Sequence, residues 1–233
     1  MTTDTSTPLD GICDPRFAPV RAAFLENFTK RGEPDAAVSV MLRGEPVVDI
    51  WGGWKDKARE KPWEEDTIVN FFSVGKPLAA LCIFHLVERG ALALDAPVAD
   101  VRPEFAAHGK AGITIRHLLS HQAGLPVIRE ALPDDAMLDR PTMVAALERQ
   151  SPWWEPGSAH GYHVNTFGFH LPLPERLIGP NPEAFGYFGA GGSLGFCDPG
   201  TGIAFAYVTN DMGPRWQNPR NAALVDAVYE SLG

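Results

Sequence analysis

The sequence predicts an α+β fold in which one antiparallel sheet is assembled from both ends of the chain. Three observations predict it. The chain opens with an amphipathic helical pattern followed by a hairpin pattern; it closes with a hairpin pattern followed by a helix; and the stretch between is mostly helical. Each terminal helix needs an apolar partner, and the economical one is a single face of the shared sheet, leaving the other face to the middle of the chain.

Taken in order, residues 1–12 read as a polar N-terminal tail. In "DPRFAPVRAAFLENFTKRG", Phe17, Val20, Phe24, Leu25 and Phe28 recur at helical spacing, with Asp14 as N-cap, Pro15 at the first helical position and Gly32 past the end. "DAAVSVMLRGEPVVDIWGGW" supplies two runs of strand-forming residues around "RGE", a hairpin signal. A long helix is expected from Val74 to Arg89, stopped by Gly90. "ITIRHLLSHQAGLP" predicts a short helix closed by Gly124 and Pro126, and "RPTMVAALERQ" another with Pro141 near its start. Residues 170–186, with four prolines, read as irregular connection. "GGSLGFCDPGTGIAFAYVTN" is a hairpin turning on Asp198, Pro199 and Gly200, and "NPRNAALVDAVYESLG" is the last helix. There is no internal repeat, and 1–233 is expected to be a single domain.

Composition bounds the function. With 233 residues, 45% of them hydrophobic, the chain is long enough for one sizeable core. A net charge of −9 without any basic cluster argues against nucleic-acid and anionic-membrane partners, leaving small molecules. Cys13, Cys82 and Cys197 are few, odd in number and far apart, which suits free thiols in a reducing compartment. The N-terminus has neither a basic nor an apolar leader region, so a cytoplasmic protein is expected.

Chemistry concentrates in two places. In "FFSVGKPLAALCIFHLVERG", Ser73 and Lys76 stand three residues apart at a helix start, which puts hydroxyl and amine on one face. A helix N-terminus favours a developing oxyanion and depresses the pKa of a nearby amine, the needs of an activated serine. The plainer alternative makes Ser73 an N-cap and Lys76 a snorkelling side chain, but the apolar surroundings leave that amine few routes to water. In "WWEPGSAHGYHVNTFG", Tyr162 follows a Pro-Gly turn among aromatic residues. A phenol held near an ammonium has its phenolate favoured and can carry a proton from a serine to a leaving group; alternatively it packs under a loop.

Seven histidines invite a metal reading. His117 and His121 have i, i+4 spacing, but no H-E-x-x-H accompanies them, so capping and core roles are preferred and no metal is expected. His160 and His163 flank Tyr162, where an orienting role and a plain loop role both stand. "FGAGGSLG" leads into a strand, not a helix, which removes a phosphate-binding reading.

Ser73-Val74-Gly75-Lys76 opening a long helix, "LDAPVADVRPEF", "ITIRHLLSHQAGLP", the tyrosine after "EPGS" and the closing "FGYFGAGGSLGFCDPGTGIAFAYVTN" together resemble the serine β-lactamase-like superfamily, and within it class C β-lactamases and family VIII carboxylesterases. The resemblance implies the corresponding fold, with Ser73 acylated, Lys76 its proton partner and Tyr162 general base and acid. It also implies that Tyr187-Phe188-Gly189 replaces the family's Lys-Thr-Gly motif on a strand lining the cleft, and that the backbone N–H groups of Ser73 and Ala190 form the oxyanion hole.

Three departures shape the expectation. Tyr187 stands where β-lactamases carry a lysine for the substrate carboxylate, which favours uncharged esters. Val164 stands two residues after Tyr162, where an asparagine is usual, with Asn165 one further on. The resemblance also implies a long helical segment after "YHVNTFG" that this sequence lacks, an internal deletion between Phe169 and Leu171. The function expected is a serine esterase acting on short acyl esters through an acyl-enzyme, without metal or organic cofactor. A β-lactamase or D-alanyl peptidase is the second expectation, and a truncated domain that binds without turnover the third. Loss of helical cover predicts a homo-oligomer or a poorly soluble monomer.

Overall fold

The computed structural model describes residues 7–163 and 177–233. The chain divides into two units, one of residues 7–75 with 177–233 and the other of residues 76–163 among those described. No helix among them is long and apolar enough to cross a membrane.

The first unit is the expected sheet with its two terminal helices. Strands β1 (Leu9–Cys13), β2 (Asp35–Leu42), β3 (Glu45–Gly53), β4 (Phe185–Phe188), β5 (Leu194–Asp198) and β6 (Ile203–Thr209) form one antiparallel sheet in the order β1-β3-β2-β6-β5-β4. The two ends of the chain meet where β2 pairs with β6, Val38 opposite Tyr207 and Val40 opposite Phe205. Because side chains alternate along a strand, this register puts Val38, Val40, Val48, Ile50, Phe205 and Tyr207 on one face. There they share a core with Val20 and Phe24 of α1 (Ala18–Lys30) and Leu224 and Val228 of α5 (Pro219–Glu230). Each such side chain contributes roughly 1.5–3 kcal/mol by leaving water.

Local chemistry sets the joints. The β2–β3 hairpin turns through Arg43 and Gly44, with φ of 52° and 88°, the double left-handed turn whose twist matches paired strands. Asp14 accepts from the Arg16 N–H at the start of a short 3-10 turn, Pro15–Phe17, that runs into α1. Asn27 of α1 donates to the Arg220 carbonyl at 3.2 Å, while the Arg220 guanidinium bonds the carbonyls of Arg31 and Gly32 and the carboxylate of Glu33. Tyr207 and Thr209 also donate to Glu33, so this buried carboxylate ties β6 and α5 to the end of α1.

Two expectations need correction. Residues 9–13 are not tail but edge strand β1, paired from Leu9 opposite Gly52 to Cys13 opposite Val48. The strand has no apolar alternation to announce it, because its three middle residues are exposed and only Leu9 and Cys13 at its ends pack on the core; Gly11 has φ of 107°, and a Cβ there would collide with the Asp49 carbonyl. The connection assigned to 170–186 ends earlier, since β4 begins at Phe185; residues 177–184 carry no helix or strand, and 170–176 lie outside the described residues.

In the second unit, α2 (Gly75–Glu88) continues from the first, followed by α3 (Ile115–Leu119) and α4 (Arg140–Arg149). A small core of Phe105, Ile113, Ala123 and Leu125 sits among them. Lys110, fully buried, donates to the carbonyls of Ala107, Glu148 and Gln150 and so fastens the end of α4.

Candidate active site

Ser73 lies in a single 3-10 turn, Phe72–Val74, that runs directly into α2. The residue before it is strained: Phe72 has φ of 49°, a left-handed conformation costly for a bulky side chain. Asn70 offsets part of that cost by accepting the Phe72 N–H at 2.9 Å. Strain of this kind survives only where surrounding contacts over-determine it. Here the contacts come from the sheet. A Cβ on Gly189, at the end of β4, would collide with the Phe71 carbonyl, and one on Gly195, in β5, would lie 3.0 Å from Val74 Cγ1. The serine turn therefore sits directly on strand backbone at two glycines.

Gly189 thus has a visible packing role, and Ala190, itself exposed, follows it into a turn through the buried Gly191 and Gly192, both with positive φ. The N-terminus of α5 anchors that turn. Asn218 and Asn221 form a reciprocal capping box, and Asn221 also donates to the Gly192 carbonyl at 2.9 Å. Sequence reading missed Asn70, Asn218 and Asn221; "NPRN" carried the capping signal, but not its reach across 29 residues to the turn. Tyr187 is only 1% exposed and occupies the sheet face opposite that of Phe188, cross-strand from Gly195. A cavity of about 450 Å³ lies instead on the α5 side of β4, lined by Leu177, Ile178, Phe188, Leu194, Ala222 and Val225 among others, with none of the sequence-nominated site residues.

The second unit brings Lys76 and Tyr162 together. The Lys76 Nζ lies 5.8 Å from the centroid of the Tyr162 ring. Burial lowers the pKa of the Lys76 amine, because desolvation penalises its charged form. Its phenol-bearing partner is held by a dense backbone frame: Trp153 N–H donates to the Gly124 carbonyl, Gly157 N–H to Gln122 and Gly161 N–H to His121. The expected Pro-Gly turn is present, Gly157 having φ of 85° and passing within 3.1 Å of His117 Nε2 at its Cβ position.

The histidines divide by role. His117 closes a capping box with Thr114 at the start of α3, the capping role preferred from sequence. His121 and His163 are both buried; the His121 ring lies against the Tyr162 ring, and the His163 ring lies against that of His121. His163 Nε2 accepts the Leu125 N–H at 2.9 Å while its Nδ1–H donates to the Gly161 carbonyl, a neutral tautomer inferred from these partners. Burial accordingly lowers its pKa. Val164 and Asn165 lie outside the described residues.

An antiparallel sheet carrying a strained serine turn on its glycine-bearing strands, with an amine and a phenol paired on the following segment, defines the β-lactamase/transpeptidase-like class. Residues 20–171 match the beta-lactamase family model, and the chain belongs to that family. It is 40% identical over 175 residues to the esterase/beta-lactamase LipL of Mycobacterium tuberculosis, a match covering 75% of this chain and 40% of that protein. It thus spans about two fifths of that relative's length. Among solved structures, a family VIII carboxylesterase superposes with a TM-score of 0.84 at 26% identity, covering 96% of this chain and 100% of that one. A penicillin-binding protein homolog from Caulobacter crescentus gives 0.85 at 26%, covering 97% and 100%.

Proposed function

We propose that this chain is a serine hydrolase that cleaves short, uncharged acyl esters through an acyl-enzyme. The observation that carries the reading is the desolvated Lys76 amine over the Tyr162 ring, three residues after a serine held in a strained turn. An amine of lowered pKa gives up its proton more readily and spends more of its time neutral than an ordinary lysine, and in that form it can accept the serine proton.

Ser73 Oγ attacks the ester carbonyl and its proton passes to the Lys76–Tyr162 pair. The backbone N–H groups of Ser73 and Ala190 stabilise the oxyanion. The C–O bond to the alcohol breaks as Tyr162 returns the proton to the departing oxygen; water, deprotonated by the same pair, then adds to the acyl carbon, the acyl–Oγ bond breaks as the pair passes that proton to Ser73 Oγ, and the acid leaves. Tyr187 brings a neutral phenol to the strand on which the family carries an ammonium. That loss forfeits about 1.5–3 kcal/mol toward carboxylate-bearing lactams, which favours neutral esters. A β-lactamase reading is supported by the relative named both esterase and beta-lactamase.

Fluorophosphonate labelling with peptide mapping tests the nucleophile, and p-nitrophenyl butyrate against a chromogenic cephalosporin tests the substrate. Labelling at Ser73 with faster ester hydrolysis is expected, and Ser73→Ala should lower turnover by several orders of magnitude. Faster cephalosporin hydrolysis would select the lactamase reading. Labelling without turnover of either compound would leave a binding domain.

A further inference from the structure

His121 touches three consecutive residues of the loop that carries Tyr162. Its carbonyl accepts the Gly161 N–H at 3.2 Å, and its ring Nδ1 accepts the His163 N–H at 3.3 Å. Between those two bonds its ring lies 5.5 Å from the Tyr162 ring, tilted by 53°. The side chain is 1% exposed, and its backbone holds φ of 57°, left-handed for a residue that is not glycine. A buried histidine kept in a costly conformation, with main chain and side chain bonding either side of one tyrosine, is placed to fix that tyrosine.

We infer that His121 is the positioning residue for Tyr162, clamping the backbone on both sides of it and setting the direction of its phenol. This rests on the reading of Tyr162 as proton carrier. The clamp explains the residue type. The ring must offer a lone pair at the δ position, so Nδ1 must be unprotonated, and the ring must be flat to lie against the tyrosine. His163 fits the same frame: its own ring is locked by Leu125 and Gly161, and its edge meets Trp154 at 5.7 Å between centroids. His160 adds an edge contact to His121 at 6.0 Å. His121 acts on chemistry only through Tyr162, because a displacement of about 1 Å in a reacting group can cost on the order of a hundredfold in rate.

Two substitutions separate clamp from scaffold. His121→Gly deletes the ring and its Nδ1 while keeping the carbonyl bond and accepting the left-handed backbone without strain. His121→Asn restores an acceptor at the δ position and also tolerates that backbone. The expected result for His121→Gly in the full chain is a lowered thermal midpoint but a folded protein at the assay temperature, with kcat on p-nitrophenyl butyrate lower by about tenfold or more and KM little changed. His121→Asn should recover most of kcat. In spectra of the protein labelled with [13C]tyrosine, which has four tyrosines, the Tyr162 ring signal, assigned by its loss in Tyr162→Phe, should move in His121→Gly while the other three hold. Wild-type kcat in His121→Gly beside an inactive Tyr162→Phe would overturn the clamp and leave the Tyr162 reading intact. A fully active Tyr162→Phe would overturn the Tyr162 reading instead, and the clamp would then stand or fall on the spectrum. If no ester is turned over, an unmoved Tyr162 signal in His121→Gly overturns the inference by itself.

Discussion

Helices α2 and α5 have nearly the same length, and the more apolar of the two is the more exposed. In α5, Leu224, Val225, Ala227 and Val228 are buried on one stripe together with Arg220 and Asn221. In α2, "GKPLAALCIFHLVE", only Pro77 and Ala80 are buried, while Leu78 and Leu81 are each 53% exposed and Phe84 and Leu86 also face water. Amphipathicity explains α5: its stripe meets a sheet, and its other side is polar. A helix apolar on all sides has the pattern of one enclosed by protein on all sides. Apolarity alone therefore does not predict burial; the match between an apolar face and an available partner does.

Core truncation should separate the helices most. Leu224→Ala leaves a void among well-packed neighbours and is expected to cost about 2–5 kcal/mol, whereas Leu81→Ala should stay within about 0.5 kcal/mol. Urea unfolding at concentrations where the chain is monomeric measures both, and equal losses would mean that α2 packs against protein within the monomer. Acid gives the next largest effect. His163 has its pKa lowered by burial, so above its ordinary value of 6.5 folded and unfolded chains are both neutral there and its contribution is complete. As pH falls below that value the unfolded chain binds the proton first, and stability declines by up to about 1.4 kcal/mol per pH unit until the folded pKa is reached. Replacing His163 with Asn should flatten that part of the stability–pH curve; an unchanged slope would place the titration elsewhere.

Smaller still is the stability change expected for Leu78→Lys with Leu81→Lys, within about 0.5 kcal/mol, because both positions already face water. Its signature is size. Light scattering should show self-association of the wild type and a shift toward monomer in the double variant, and identical profiles would show that α2 is not the contact. The thiols give the slightest contrast. Cys82, exposed on α2, should react with a disulfide reagent ahead of Cys13, whose Sγ–H donates to the Phe17 carbonyl and whose pKa burial raises. Equal rates would argue that α2 is shielded.

Much of this was legible in the chain. The period-2 run from Asp35 and its partner from Ile203 announced strands, and Asp14, Pro15 and Gly90 marked helix ends. Ser73, Lys76 and Tyr162 stood out because a serine, an amine and a phenol in apolar surroundings need a chemical reason. Less legible was what holds them: Asn70 under Phe72, Gly189 against Phe71, and His121 on both sides of Tyr162. Each of these is a backbone contact or a left-handed residue, and neither leaves a periodic trace.

By itself, then, the sequence determined the elements, the joining of both chain ends in one sheet, and which side chains could do chemistry, since these follow from periodicity, turn residues and residue type. Only the tertiary structure decided that residues 9–13 close the sheet edge, that Phe72 is strained and that His121 faces Tyr162. Those features depend on which backbone atoms meet across long separations, and a contact between main-chain groups is available to almost any residue that the local geometry admits.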